Sequence, residues 1–261
     1  MSNYEWEELP LITFKTVRLS DNTEVCLGNH ENGNKSNFGY INSDRVYVFD
    51  SGYSSDFFNE YIARLVSLGK KIVVVLSHHH SDHINGIWRI ENNRNVSIIC
   101  SSSTVEKMKT NVNNITICKE DLCLNEHIFV RRCVNCHTNE DLILEDANKK
   151  VVFMGDMLLD CHHPYINNTD VNQWINYLEV FKKKKFDYYI PGHGECMSIN
   201  TIEKYISYLK VWMQTVQMDE FKKTYNERIE IFLNHTNSFS WKQRENIRKN
   251  FENIQEKICM K

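Results

Sequence analysis

The sequence has no long apolar run. Residues 1–8 carry neither the basic n-region nor the apolar h-region of a secretory leader, and no later stretch approaches the roughly 20 apolar residues needed to cross a bilayer. A cytoplasmic location, with no membrane partner, is the resulting expectation. There is also no excess of one charge. The 31 basic and 34 acidic residues leave a net charge of -3, which gives no electrostatic footprint for nucleic acid. The one basic run, residues 182–185, sits inside a helical pattern and reads as a solvated face. Nine cysteines form an odd set without the dense spacing of a disulfide scaffold, so most are expected to be reduced and structural. No internal repeat and no clean linker divides the chain. With 41% apolar and 25% charged residues, disorder is not indicated, and 261 residues suffice for one large α/β domain or two small ones.

What is present is a concentration of imidazoles. Leu76-Ser77-His78-His79-His80-Ser81-Asp82-His83 follows directly on Ile72-Val73-Val74-Val75, a β-branched run that reads as a buried strand. The cluster therefore starts where a strand ends, the usual place for ligands in an open α/β sheet. His78 and His80 alternate along an extended segment and share a face, whereas His79 points the other way. Asp82 and His83 follow on a turn. Imidazole and carboxylate together suit zinc, manganese or iron, and four such groups on one loop can serve two ions. The competing reading is a solvated, histidine-rich loop without chemistry.

Upstream, Leu11-Ile12-Thr13-Phe14, Glu24-Val25-Cys26-Leu27 and Arg45-Val46-Tyr47-Val48-Phe49 predict strands of one sheet, the last closed by Asp50-Ser51-Gly52. Phe57, Phe58, Tyr61, Ile62, Leu65 and Val66 then recur at helical spacing up to Gly69, which completes a strand-helix-strand unit. Val96-Ser97-Ile98-Ile99-Cys100 and a short helix over 102–109 begin a second. Short runs follow at 116–118 and 128–130. Asp141-Leu142-Ile143-Leu144 and Val151-Val152-Phe153-Met154 predict a hairpin whose second strand Gly155-Asp156 closes. Val171, Trp174, Ile175, Leu178 and Phe181 mark a helix capped by Asp170, and Phe186-Asp187-Tyr188-Tyr189-Ile190 predicts a strand leading into Pro191-Gly192-His193-Gly194. Beyond Ile199 three apolar stripes suggest three helices: one through Ile202, Tyr205, Ile206, Leu209 and Met213, one through Phe221, Tyr225, Ile229 and Phe232, and one through Ile247, Phe251, Ile254 and Ile258.

Three more candidates each sit just past a predicted strand: His137, Asp156 and His193. Singly each is an ordinary loop residue. In this order, behind Asp50-Ser51-Gly52 and His78-His79-His80-Ser81-Asp82-His83, the pattern over residues 35–200 resembles the metallo-β-lactamase superfamily. The resemblance implies an αββα sandwich over residues 1–200, with residues 201–261 as a helical extension packed on it. It also implies that His78, His80 and His137 hold one ion, that Asp82, His83 and His193 hold a second, and that Asp156 bridges them.

Two zinc ions, with iron or manganese as other metals of the same ligand chemistry, ionise a shared water near neutral pH and polarise a carbonyl. The expected activity is therefore hydrolysis of a thioester, lactone or amide-type carbonyl in a small molecule, with Asp82 orienting the hydroxide and shuttling its proton. Asp50 is expected to hydrogen-bond the metal loop, or else to serve only as a strand-end turn. Met157-Leu158-Leu159 and the loop carrying His162 and His163 resemble glyoxalase-II-like hydrolases. His163 is a candidate substrate contact, though a structural role behind Pro164 competes. Quorum-signal lactonases carry a tyrosine just after the bridging Asp, which this chain lacks, and antibiotic-hydrolysing members carry leaders.

Cys133-Val134-Asn135-Cys136-His137 also spells the c-type haem attachment pattern, but it needs export and competes for His137, so two buried thiols are the preferred reading. A mononuclear iron persulfide dioxygenase is the rival activity, and non-enzymatic metal or partner binding the third class. The helical tail is expected either to complete the substrate cleft or to build a homodimer.

Overall fold

Alternate residues of the runs 46–49 and 72–75 face two different cores. Val46, Val48, Ile72 and Val74 pack with Phe58, Tyr61, Ile62 and Leu65 of a helix, whereas Tyr47, Phe49, Val73 and Val75 pack with Leu142, Leu144, Val151 and Phe153 of a second sheet. On that second sheet the intervening residues Ile143, Val152 and Met154 turn away, toward Trp174, Leu178 and Phe181. The period of two thus places a core on each side of both sheets, and three cores separate four layers. The computed structural model describes residues 14–28, 36–53, 55–89, 94–108, 114–166, 169–195, 197–216, 225–236 and 244–259.

The first sheet runs β1 (Phe14–Ser20), β2 (Thr23–Gly28), β3 (Phe38–Asn42) and β4 (Val46–Phe49), then through α1 (Ser55–Val66) to β5 (Ile72–Val75). Next come α2 (Ser81–Ile84) with a 3-10 turn at Asn85–Arg89, β6 (Val96–Cys100), α3 (Ser102–Lys107) and β7 (Ile115–Ile117). Its strands lie in sequence order, antiparallel up to β4 and parallel from β4 to β7. The second sheet contains β8 (Leu122–Cys123), β9 (Ile128–Val134), β10 (Glu140–Asp146), β11 (Val151–Leu159) and, after α4 (Val171–Lys183), β12 (Tyr188–His193), in the order β12-β11-β10-β9-β8. The expected αββα sandwich is the observed architecture.

The tail forms α5 (Ile199–Val216), α6 (Tyr225–Thr236) and α7 (Arg244–Cys259). Ile202, Tyr205, Leu209, Phe232, Ile247 and Phe251 enter the core shared with β11 and α4, so these helices thicken the outer layer of the second sheet. Asp170 caps α4 as expected, accepting a hydrogen bond from the Gln173 amide at 3.0 Å. Residues 1–8, Leu11, Ile12, Thr13 and Phe221 lie outside the described residues.

Three local expectations change. The strand through Gly155-Asp156 does not close there. Gly155 takes a left-handed φ of 51°, the pairing register shifts, and β11 continues through Leu159. β12 likewise extends through Pro191 to His193, which its edge position allows, since a proline on an edge strand leaves no ladder bond unmade. The basic run is only partly a solvated face, because Lys184 Nζ donates to the buried Glu145 carboxylate at 2.6 Å.

Candidate metal centre

All seven candidate ligands meet at one edge of the sandwich. His78 and His80 lie on the segment leaving β5, Asp82 and His83 on α2, His137 in the β9–β10 turn, Asp156 in β11 just past the Gly155 kink, and His193 at the end of β12. Their donor atoms form two groups: His78, His80, His137 and Asp156, and Asp82, His83 and His193. His79 belongs to neither.

In the first group His80 Nδ1 lies 2.9 Å from His78 Nε2 and 3.1 Å from His137 Nε2. One ring nitrogen carries either a proton or a lone pair, so it cannot make good hydrogen bonds to both. In the second group His193 Nε2 lies 3.2 Å and His83 Nε2 3.7 Å from Asp82 Oδ2. Asp156 faces both groups. Its Oδ2 lies 3.3 Å from His137 Nε2 and 3.9 Å from His78 Nε2, and its Oδ1 lies 3.2 Å from His83 Nε2 and 3.5 Å from His193 Nε2.

The surrounding hydrogen bonds assign the ring protons. Asp50, fully buried, accepts from the Ser77 amide at 2.6 Å with Oδ1, and with Oδ2 from the Ser77 hydroxyl at 2.8 Å and His83 Nδ1 at 2.8 Å. Because Ser77 gives its only hydroxyl proton to Asp50, it accepts from His78 Nδ1 at 2.9 Å. Both imidazoles therefore turn Nε2 to the centre, a bare ligand atom whenever the ring is neutral. Ser51 adds an amide and a hydroxyl bond to the His83 carbonyl, at 2.9 and 2.8 Å. Trp174 Nε1 donates to the Met157 carbonyl at 2.9 Å, just past Asp156.

Burial pushes His78, His80 and His137 down, and repulsion from His83, His80 and His137 adds to it in His78; His137 falls to about 3. These three rings are neutral, the ligating form. Burial also acts against charge at His83 and His193, but the carboxylates of Asp156 and Asp82 outweigh it and raise both. Conversely, burial raises Asp156 and Asp82, and the neighbouring imidazoles overcome it and hold both low.

This donor set fits metal ions. Neutral imidazole nitrogens and ionised carboxylates are the ligands of zinc and its neighbours, and His83 Nε2 and Asp156 Oδ1 are buried atoms that make no hydrogen bond. Of the two loop histidines, His162 is the nearer, its ring 5.6 Å from that of His193. His163 turns to the tail, where its Nδ1 lies 3.0 Å from the Tyr208 hydroxyl. Cys133 and Cys136 are buried free thiols whose pKa burial raises, so the expected thiol pair is what stands before His137. Sequence reasoning missed Ser36 and Asn37, polar residues beside a strand start that carry no periodic signal.

A four-layer αββα sandwich with a His/Asp centre at one sheet edge defines a class of metal-binding folds. Residues 32–116 match the family described as the Metallo-beta-lactamase superfamily. Among solved structures the chain is similar to the DIM-1 metallo-beta-lactamase, with 16% identity and a TM-score of 0.65, over 77% of this chain and 100% of that one. It is also similar to a metallo-beta-lactamase from Pontibacter korlensis, with 16% identity and a TM-score of 0.63, over 76% of this chain and 99% of that one. A third is the mono-zinc form of FIM-1 from Pseudomonas aeruginosa, with 14% identity and a TM-score of 0.62, over 76% and 95%. No curated protein matches in sequence. The family match is confined to residues 32–116, and the solved structures share the fold of the chain. No helix among the described residues is long and apolar enough to cross a membrane.

Proposed function

We propose that the protein is a dinuclear, zinc-dependent hydrolase that opens a thioester, lactone or amide-type carbonyl of a small molecule, with a thioester the leading substrate class. The observation that carries this reading is the division of Asp156, one carboxylate oxygen turned to each donor group. His78, His80 and His137 would hold one ion and Asp82, His83 and His193 the other, with Asp156 shared between them. When bound, such ions ionise water near neutral pH and stabilise the negative charge that develops on a carbonyl oxygen.

The chain's own residues do the rest. Asp82 keeps 21% of its side chain exposed, against 9% for Asp156 and 5% for His193, so with the half-buried His80 it is open to water and substrate. Its low pKa keeps it ionised, able to orient a water and take its proton. Asp50 and Ser77 hold His78 and His83 in the ligating tautomer. The thioester preference rests on the resemblance to glyoxalase-II-like hydrolases and on Met157, which follows Asp156 directly. The reading keeps the cytoplasmic location expected from the sequence.

The test is metal quantitation on the purified protein followed by assay against acyl-glutathione, lactone and chromogenic β-lactam substrates. Two zincs per chain and thioester turnover, abolished in His80→Ala and Asp82→Ala variants that stay folded, are expected. A single iron per chain would favour persulfide oxidation instead.

A further inference from the structure

Ser36 and Asn37 stand at the entrance to β3 in the first sheet, yet their hydrogen bonds go to the centre. Asn37 is 2% exposed. Its Nδ2 donates to the carbonyls of Pro191 at 2.9 Å and Gly194 at 2.8 Å, and its backbone amide donates to that of Gly192 at 2.7 Å. The fourth carbonyl of this segment, that of His193, accepts from the Asp160 amide at 2.9 Å. Asn37 Oδ1 is itself fixed by the Gly28 amide at 3.0 Å. One residue thus satisfies three of the four carbonyls around His193, across 154 to 157 positions of sequence and between two sheets. Its neighbour Ser36 donates its hydroxyl to the carbonyl of Asp82.

The two contacts converge on one donor group. Asp82 and His193 belong to the second group, and none of the first-group residues hydrogen-bonds to Ser36 or Asn37 among the bonds described. The clamped segment also has little slack, since a Cβ on Gly192 would lie 2.0 Å from Asp156 Oδ1. Any relaxation of residues 191–194 moves His193 relative to Asp156 and Asp82.

We propose that Ser36 and Asn37 form a positioning clamp that selectively sets the metal affinity of the Asp82–His83–His193 group. This inference rests on the reading that both groups hold ions. The chemistry required at position 37 is two amide hydrogens aimed at carbonyls, which a carboxylate of the same shape lacks. Asn37→Asp therefore places oxygen against oxygen and releases the His193 segment while preserving volume.

The experiment is competition of cobalt(II) against a chromophoric chelator, with the d–d spectrum as a second readout, on full-length wild type, Asn37→Asp, Asn37→Ala and Ser36→Ala. Wild type should bind two ions. Both Asn37 variants should keep one at wild-type affinity and bind the other about 10- to 100-fold more weakly, with Ser36→Ala weakened in the same site by less. In a His137→Ala background, which leaves the second group, Asn37→Asp should weaken binding of the remaining cobalt by about the same 10- to 100-fold. Gln173→Ala, which deletes a comparable side-chain bond to the Val134 carbonyl, controls for general loosening and should keep both ions. Two ions at wild-type affinity in Asn37→Asp, or equal weakening of both sites, overturns the clamp while leaving the dinuclear reading intact. If Asn37→Asp fails to fold, Ser36→Ala decides: a second site at full affinity overturns the proposal. A wild type that binds no cobalt overturns both.

Discussion

Asp50 Oδ2 accepts the Nδ1 proton of His83 at 2.8 Å, and through the Ser77 hydroxyl the same oxygen also sets the ring of His78. One buried carboxylate therefore orients a ligand in each donor group.

Asp50→Asn tests that relationship. Asp50 sits at φ 58°, a left-handed conformation asparagine adopts readily, so the backbone is retained. The three donors facing the carboxylate then meet one oxygen and one NH2 group, and His83 or Ser77 loses its acceptor. Zinc affinity is expected to fall about 10- to 100-fold, with kcat falling alongside, while the circular dichroism spectrum is unchanged. Equilibrium dialysis against zinc measures it.

Much of this centre was legible in the sequence because most of the ligands stand just past a predicted strand, in an order that forms one pattern. His78 to His83 after β5, and His193 after the run at residues 186–190, announce themselves by residue type and position. The short apolar runs at residues 46–49, 72–75 and 151–154, bounded by polar turns, likewise predicted strands of both sheets. What stayed hidden acts over long sequence separation or through backbone geometry. The Asn37 bonds to residues 191–194 leave no local pattern, and the φ of Gly155 that lets β11 continue past Asp156 is a conformation, not a composition. Tyr208 as the partner of His163 was equally invisible, because the bond spans 45 positions and the stripe read for that helix did not include Tyr208.

Gly192→Ala should damage the centre directly. The added methyl would meet Asp156 Oδ1 at 2.0 Å and the Gly155 backbone at 2.7 Å, so the carboxylate or the His193 segment must move. A stability loss on the order of 1–3 kcal/mol is expected by urea unfolding, accompanied by loss of bound zinc.

Asp141 supplies the pH dependence. Burial raises its carboxyl to about 7, against which the amide and hydroxyl of Thr138 pull only partway back. An acid whose pKa is higher folded than unfolded keeps its proton in the native state where the unfolded chain has lost it. Its contribution is therefore fully present below 3.8 and is lost as pH rises towards about 7. A carboxamide in its place can accept from the Thr138 amide and donate to the Thr138 hydroxyl, so Asp141→Asn keeps the bonds without the titration. In metal-free protein, the wild type should lose on the order of 2 kcal/mol relative to Asp141→Asn between about pH 5 and pH 8, read from urea midpoints.

The central claim is that Asp156 joins two cation sites, and the measurement closest to it is anomalous diffraction from zinc-reconstituted crystals of wild type and Asp156→Ala. Two peaks flanking the Asp156 carboxylate in the wild type, one among His78, His80 and His137 and one among Asp82, His83 and His193, with at least one lost in the variant, is the result expected. A single peak away from Asp156, or two peaks that survive its removal at full occupancy, would contradict it.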